Sequence, residues 1–255
     1  HPCTGHGDQV GGEYFHWLRK KGVDPKTIVG PENAQPSDVT VPNRLYEPAG
    51  VHWHGLELES WSDGVAGWSG LDTLVAPAIA PGDSFVAHLT VPRAGTFIYH
   101  THMNDVEQLT SGLYGAIIVL EPGERFDASR DHLVVMGWDG HAIRGRVQTL
   151  INGDSVPRPI EVRAGERHRL RFVNIGAAGV TRIELRRDSS LVEWQRLALD
   201  GAALPPAQAV VMPATHRIAV GQTADFEIRL APGRHTLSYA LNPASPVRTQ
   251  TVIAR

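Results

Sequence analysis

Cysteine is almost absent. The 255 residues contain one, Cys3, which excludes an internal disulfide framework and leaves the redox compartment open. No run of about 18 apolar residues occurs, so no segment has the length to cross a bilayer as a helix. Neither sign of charge is in excess. The 24 Lys and Arg against 27 Asp and Glu leave a net charge of −3, which suits neither nucleic acid nor an anionic membrane as partner. Helical patterning is scarce as well, and only Glu13 to Gly22, with Tyr14, Phe15, Trp17 and Leu18 before Lys20 and Lys21, reads as a helix. Residue 1 is His1 and no methionine opens the chain, which reads as a mature, trimmed or partial product.

What is present is β-sheet punctuation. Glycine (26) and proline (18) separate short apolar runs. These include Phe85 to Val91, Gly115 to Leu120, His132 to Met136 and His168 to Val173. With a hydrophobic content of 42% to form a core, they predict an all-β sandwich architecture. A repeat runs through it. Pro81-Gly82-Asp83 leads through a strand to Pro92-Arg93-Ala94-Gly95 and the strand of His100. Val220-Gly221-Gln222 leads through Phe226 to Leu230, then Pro232-Gly233 and the strand Thr236 to Leu241. Val39 to Asn43 echoes Arg171 to Asn174 in the same way. The expected organisation is two related Greek-key sandwiches, 38–145 and 146–255, meeting near 140–155, behind an unassigned segment 1–37.

Thirteen histidines are many for this length. Four form two His-x-His triplets, His52-Trp53-His54 and His100-Thr101-His102, each inside strand-like sequence. A strand alternates its side chains, so both imidazoles of a triplet share one face while Trp53 or Thr101 takes the other. Two such strands side by side set four imidazoles around one small volume, a donor set suited to copper or zinc. In the second sandwich Ser238 and Ala240 fall where His100 and His102 fall in the first, so residues 155–255 are expected to hold no copper. His168, His216 and His235 then read as surface or core residues. Other residues near the triplets carry simpler expectations. Gln108 is placed to hydrogen-bond an imidazole, Tyr114 to join the core, and Trp61 and Trp68 to anchor a packed loop.

Val51-His52-Trp53-His54-Gly55-Leu56, Asp63-Gly64-Val65, Gly95 to His102 and Gly112-Leu113-Tyr114-Gly115 resemble, in that order, the first cupredoxin domain of multicopper oxidases, the laccase-like family. Residues 155–255 resemble the second cupredoxin domain of bacterial members. The resemblance implies copper as cofactor, His52 on a type 2 copper, and His54, His100 and His102 on a type 3 pair. It implies that Asp63 handles protons beside the cluster as dioxygen becomes water; the residues themselves also read as a turn, Asp63-Gly64. It further implies a phenolic or metal-ion electron donor and a secreted or periplasmic location.

The departures from the family pattern are specific. No His-Cys-His motif for a blue type 1 copper occurs, and His1-Pro2-Cys3-Thr4-Gly5-His6-Gly7 is a partial copy of the His-Pro-x-His-x-His-Gly motif, with Thr4 in a ligand's place. The expectation is therefore a copper oxidoreductase whose cluster is completed by another subunit of a homo-oligomer, a partner chain or a further segment. The alternative is a non-catalytic copper-binding module.

Overall fold

The computed structural model describes residues 27–29, 37–139, 149–176, 178–241 and 247–255. The helix expected at Glu13 to Gly22 and the motif from His1 to Gly7, Cys3 included, lie outside these residues. The chain divides into two compact units at Glu124/Arg125.

In the first unit the described strands are β1 (Thr27–Val29), β2 (Ser37–Pro42), β3 (Val51–His54), β4 (Gly70–Leu71), β5 (Leu74–Val75), β6 (Ser84–Leu89), β7 (Gly95–Thr101) and β8 (Tyr114–Leu120). A 3-10 turn, Ser60–Asp63, follows β3, and a short helix, α1 (Asp105–Thr110), follows β7. One sheet has the order β1-β8-β7-β3, and β2 pairs with β6 in a second. Period-two alternation explains the core between them. Val41, Val51, Trp53, Leu89, Phe97 and Ile117 project inward from five different strands and are all buried. Each such side chain contributes about 1.5–3 kcal/mol of burial.

The second unit holds β9 (Asp131–Trp138), β10 (Thr149–Ile151), β11 (Ile160–Val162), β12 (His168–Asn174), β13 (Val180–Arg187), β14 (Ser190–Leu191), β15 (Glu193–Leu199), β16 (Ala202–Ala203), β17 (Val211–Pro213), β18 (Thr215–Ala219), β19 (Thr223–Ile228), β20 (Gly233–Ala240) and β21 (Arg248–Ala254). A sheet ordered β10-β9-β12-β19-β15-β16 faces one ordered β11-β21-β20-β13-β14. Phe172, Trp194 and Phe226 from the first meet Leu185, Leu237 and Val252 from the second in one core. Trp194 stacks on Phe226 with ring centroids 4.0 Å apart.

The strand β9 differs from expectation. Residues up to 145 are expected in the first sandwich, whereas β9 runs parallel to β12 of the second. Its first residue, Asp131, takes two hydrogen bonds from the buried Arg171, at 2.6 and 2.8 Å, and Arg171 also reaches Asp225 at 3.1 Å. A buried guanidinium needs such partners, and they tie β9 to the second unit. Residues 140–148, part of the expected junction, lie outside the described residues.

The repeat is visible in hydrogen bonding. β1 pairs with β8 in parallel, and β11 with β21 likewise. Asn43 accepts the Gly82 N–H at its carbonyl (2.9 Å) and donates its amide to Ile79 O (2.8 Å). Asn174 does the same with Gly221 N–H (2.8 Å) and Ile218 O (2.9 Å). These asparagines close the same turn in each unit.

Candidate metal centre

Strand register builds the site. β3 pairs antiparallel with β7, placing Val51 opposite Thr101, His52 opposite His100 and Trp53 opposite Tyr99. Val51 and Trp53 are drawn into the core, so His52 and His54 face the other way. On β7, Phe97, Tyr99 and Thr101 are buried, which turns His100 to the face of His52. The ladder continues one rung past β7, where the His102 N–H donates to Gly50 O at 3.0 Å.

Ring centroids lie 5.3 Å apart for His52–His100, 5.4 Å for His52–His54 and His54–His100, 5.6 Å for His52–His102 and 6.0 Å for His100–His102. One nitrogen from each of His52, His54 and His100 lies within 4.8 Å of the others. His102 stands beside this trio with its ring exposed. The described residues therefore bring three imidazoles into a tight group and set the fourth at its rim.

The free lone pairs follow from hydrogen bonds. His100 Nδ1 sits 2.6 Å from Thr101 O, and a carbonyl only accepts, so Nδ1 carries the proton and Nε2 is the available donor atom. His52 Nδ1 sits 2.9 Å from Asp63 Oδ1, leaving its Nε2 available in the same way. His54 Nδ1 faces His100 Nε2 at 3.3 Å. Burial pushes the His100 imidazole down to about 4, against the raising effect of the Thr101 carbonyl, and the other three histidines push the same way as burial. His100 is thus neutral at pH 7, as a metal ligand must be.

Asp63 reaches His52 through a close backbone approach. It ends the 3-10 turn, and Gly64 follows in the left-handed region at φ +76°. A Cβ on Gly64 would lie 2.0 Å from Val51 O, the residue before His52. Glycine therefore lets the turn lie against β3. Ser69 Oγ also contacts Asp63 Oδ2, at 3.4 Å.

Three neighbouring expectations change. Among the described residues Gln108 hydrogen-bonds Glu47, Pro48 and Thr101 and no imidazole. Its Nε2 donates to Glu47 Oε1 (3.0 Å) and Pro48 O (3.1 Å), and its Oε1 accepts from the Thr101 hydroxyl. Sequence spacing marked Gln108 as near the site, but the role of Thr101 as its partner had no signal beyond its place between two histidines. Trp61 packs on Phe85 with centroids 6.0 Å apart, whereas Trp68 is 87% exposed, so one indole anchors the loop and not two. Tyr114 is half-buried, its hydroxyl pushed up to about 12 by burial.

In the second unit the corresponding rung pairs Glu184 with Ser238. β7 and β20 each open on a glycine, Gly95 and Gly233, and His100 and Ser238 hold the same place after it. By register, Glu184, Arg186, Ser238 and Ala240 stand where His52, His54, His100 and His102 stand in the first unit. Ion pairs replace the imidazole cluster there, Glu184 with Arg186 at 3.3 Å and with Arg182 at 3.7 Å.

Two sandwiches, one of them with imidazoles from adjacent strands gathered in one volume, define a cupredoxin-type protein with a candidate metal site. Residues 26–124 match the family described as multicopper oxidase. The family's cofactor is copper. Copper resistance protein A of Escherichia coli is 41% identical over 98 residues, 38% of this chain and 15% of that protein. Laccase-2 of Cryptococcus neoformans var. grubii is 32% identical over 122 residues, 46% of this chain and 20% of its own length. L-ascorbate oxidase of Cucumis sativus is 38% identical over 90 residues, 34% of this chain and 14% of that enzyme. The chain thus spans at most a fifth of the length of these curated relatives. Among solved structures, the blue copper oxidase from Nitrosomonas europaea superposes with a TM-score of 0.69 at 23% identity, covering 91% of this chain and 78% of that one. A variant of the McoA multicopper oxidase from Aquifex aeolicus does so at 0.72 and 18% identity, covering 89% and 54%. At these identities the superpositions establish the cupredoxin fold.

Proposed function

We propose that this chain is part of a copper-dependent oxidase of the multicopper type, which oxidises a phenolic or metal-ion donor and reduces dioxygen to water. The observation that carries this is the gathering of His52, His54 and His100, with His102 at the rim, on two paired strands. The donor set fits copper: imidazoles whose ring orientations are fixed by Asp63 and the Thr101 carbonyl. In this reading His52 holds a type 2 copper, and His54, His100 and His102 hold part of a type 3 pair. Bound copper supplies the one-electron chemistry that carries electrons from the donor to dioxygen.

The protein's own groups do the rest. Asp63 Oδ1 accepts a hydrogen bond from His52 Nδ1–H and fixes that ring. Asp63 Oδ2, which accepts from the Ser69 hydroxyl at 3.4 Å, passes a proton through water as dioxygen is reduced. Four imidazoles are too few for a three-copper cluster, in which each copper takes about two or three nitrogen ligands. The remaining ligands, and a type 1 copper with its cysteine, come from another subunit, a partner chain or a further segment. Kinship with laccases and copper resistance proteins supports a secreted or periplasmic location; among the described residues no helix is long and apolar enough to cross a membrane.

The test is phenol oxidation with dioxygen uptake by copper-loaded protein, with oligomeric state measured in the same sample. Turnover confined to an oligomer or to a complex with a partner chain, and abolished by His54→Ala, is the expected result. Copper uptake without turnover in any assembly identifies a copper-binding module instead. Turnover by a strict monomer shows that the ligand count is wrong.

A further inference from the structure

We propose that Gln108 and Thr101 form a clamp whose task is to hold His102, the imidazole at the rim of the trio, in ligand position. The inference rests on the copper reading above and assigns a role to residues outside the histidine set. Thr101 is the middle residue of its triplet and is fully buried, facing away from the imidazoles. Its hydroxyl serves two directions. Toward the chain it accepts the Met103 N–H at 3.2 Å and lies 2.9 Å from Met103 O, closing a loop around His102. Toward α1 it donates to Gln108 Oε1.

The other two partners fix the amide orientation of Gln108, because Pro48 O and Glu47 Oε1 only accept and so take Nε2, which leaves Oε1 to accept from Thr101. Nε2 reaches Pro48 O at 3.1 Å and Glu47 Oε1 at 3.0 Å. Pro48 lies two residues before Gly50, whose carbonyl accepts the His102 N–H. One buried side chain therefore joins the second triplet to the segment that leads into the first. Asn104, in the left-handed region at φ +47°, turns the chain so that α1 returns to make this contact.

His102 needs such support more than its neighbours do. His52 has the Asp63 carboxylate and His100 has the Thr101 carbonyl, whereas the His102 ring is exposed. Outer groups that orient a ligand typically change metal affinity about 10–100-fold when removed.

The experiment uses the whole chain and two readouts. In copper-free protein, ring resonances of labelled histidines are assigned to His102 by comparison with His102→Ala. Gln108→Leu and Thr101→Val should broaden or shift the His102 signals, and Thr101→Ser should restore them. In copper competition against a chelator, Gln108→Leu should lose at least about tenfold in affinity, and should lose nothing further in a His102→Ala background. Unchanged His102 signals in Gln108→Leu overturn the clamp. The same affinity loss with and without His102 also overturns it, since that marks a general structural effect. Wild-type protein that takes up no copper overturns the proposed function instead, and the ring signals then decide the clamp alone.

Discussion

His52 and His100 stand directly opposite each other across two antiparallel strands, with ring centroids 5.3 Å apart and planes at 87°. The edge of one ring meets the face of the other. Neither ring is placed by the other. His52 is held by Asp63 from the turn that follows its strand, and His100 by the carbonyl of its own chain neighbour. The two rings are thus oriented by groups outside the imidazole set.

The first prediction concerns Asp63. Asp63→Asn keeps the shape of the side chain but removes the charge that accepts the His52 Nδ1 proton. Copper affinity should fall about 10–100-fold, with the fold intact by circular dichroism. Competition titration measures it. Affinity equal to wild type would mean that the 2.9 Å contact does not hold the ligand.

A second prediction separates two glycines of similar conformation. Gly64 and Gly67 have φ of +76° and +79°, but a Cβ on Gly64 meets Val51 O at 2.0 Å, whereas one on Gly67 meets nothing within 4 Å. Gly67→Ala should cost about 1 kcal/mol, the usual penalty of that backbone region. Gly64→Ala should cost clearly more and weaken copper binding, because the strand that carries His52 must shift. Urea unfolding of both variants measures the difference; equal costs would refute it.

Much of this site was legible because strand pairing is periodic. His-x-His on a strand puts two rings on one face, and aromatic or β-branched residues between them fix which face is buried. The topological repeat was legible for the same reason, since its turn residues recur, as Asn43 and Asn174 show. What stayed hidden depends on contacts between distant residues. The link from Gln108 to Pro48 spans sixty positions, and the pairing of β9 with β12 is decided by Arg171 and Asp131, forty apart. Local pattern carries no record of either. The exposure of Trp68 was equally invisible, because an indole in a glycine-rich loop reads the same packed or bare.

A third prediction concerns acid. The His132 ring stacks on His168 with centroids 5.3 Å apart, and His132 Nε2 lies 3.1 Å from His168 Nδ1. His168 Nε2 accepts the Arg163 N–H at 3.0 Å, so its proton sits on Nδ1 and points at His132. Burial first, and the neighbouring His168 second, hold His132 down to about 4 from an ordinary 6.5. The folded state therefore binds fewer protons than the unfolded one across that interval. The stability this confers is complete above about pH 6.5 and is lost as pH falls toward 4. Unfolding midpoints in urea should drop between these values, and drop less in His132→Gln. Identical pH profiles would exclude His132 as a source of the acid sensitivity.

The last prediction tests whether the two units share one ligand geometry. Glu184, Arg186 and Ser238 occupy the rungs that His52, His54 and His100 occupy in the first unit. Their side chains project from the same paired strands, so the backbone already supplies what a trio of imidazoles needs. Besides the side chains, β13 differs from β3 in pairing with β18 as well. The ion pairs lost are partly exposed, at 3.3 Å to Arg186 and 3.7 Å to Arg182. Such pairs contribute about 0–1 kcal/mol each, so the fold should survive their removal. The host is a full-length chain with His52, His54, His100 and His102 changed to Ala. Adding Glu184→His, Arg186→His and Ser238→His to it should create a site that retains one further copper against a chelator, with nitrogen coordination in its electron paramagnetic resonance spectrum. Arg182 remains beside the new site, and its positive charge should make the site weaker than the natural one; Arg182→Ala should recover part of the difference. A variant that folds but holds no more copper than its host would show that equal register does not bring equal ring placement, and that the first unit owes its centre to Asp63 and the Gln108 clamp more than to its strands.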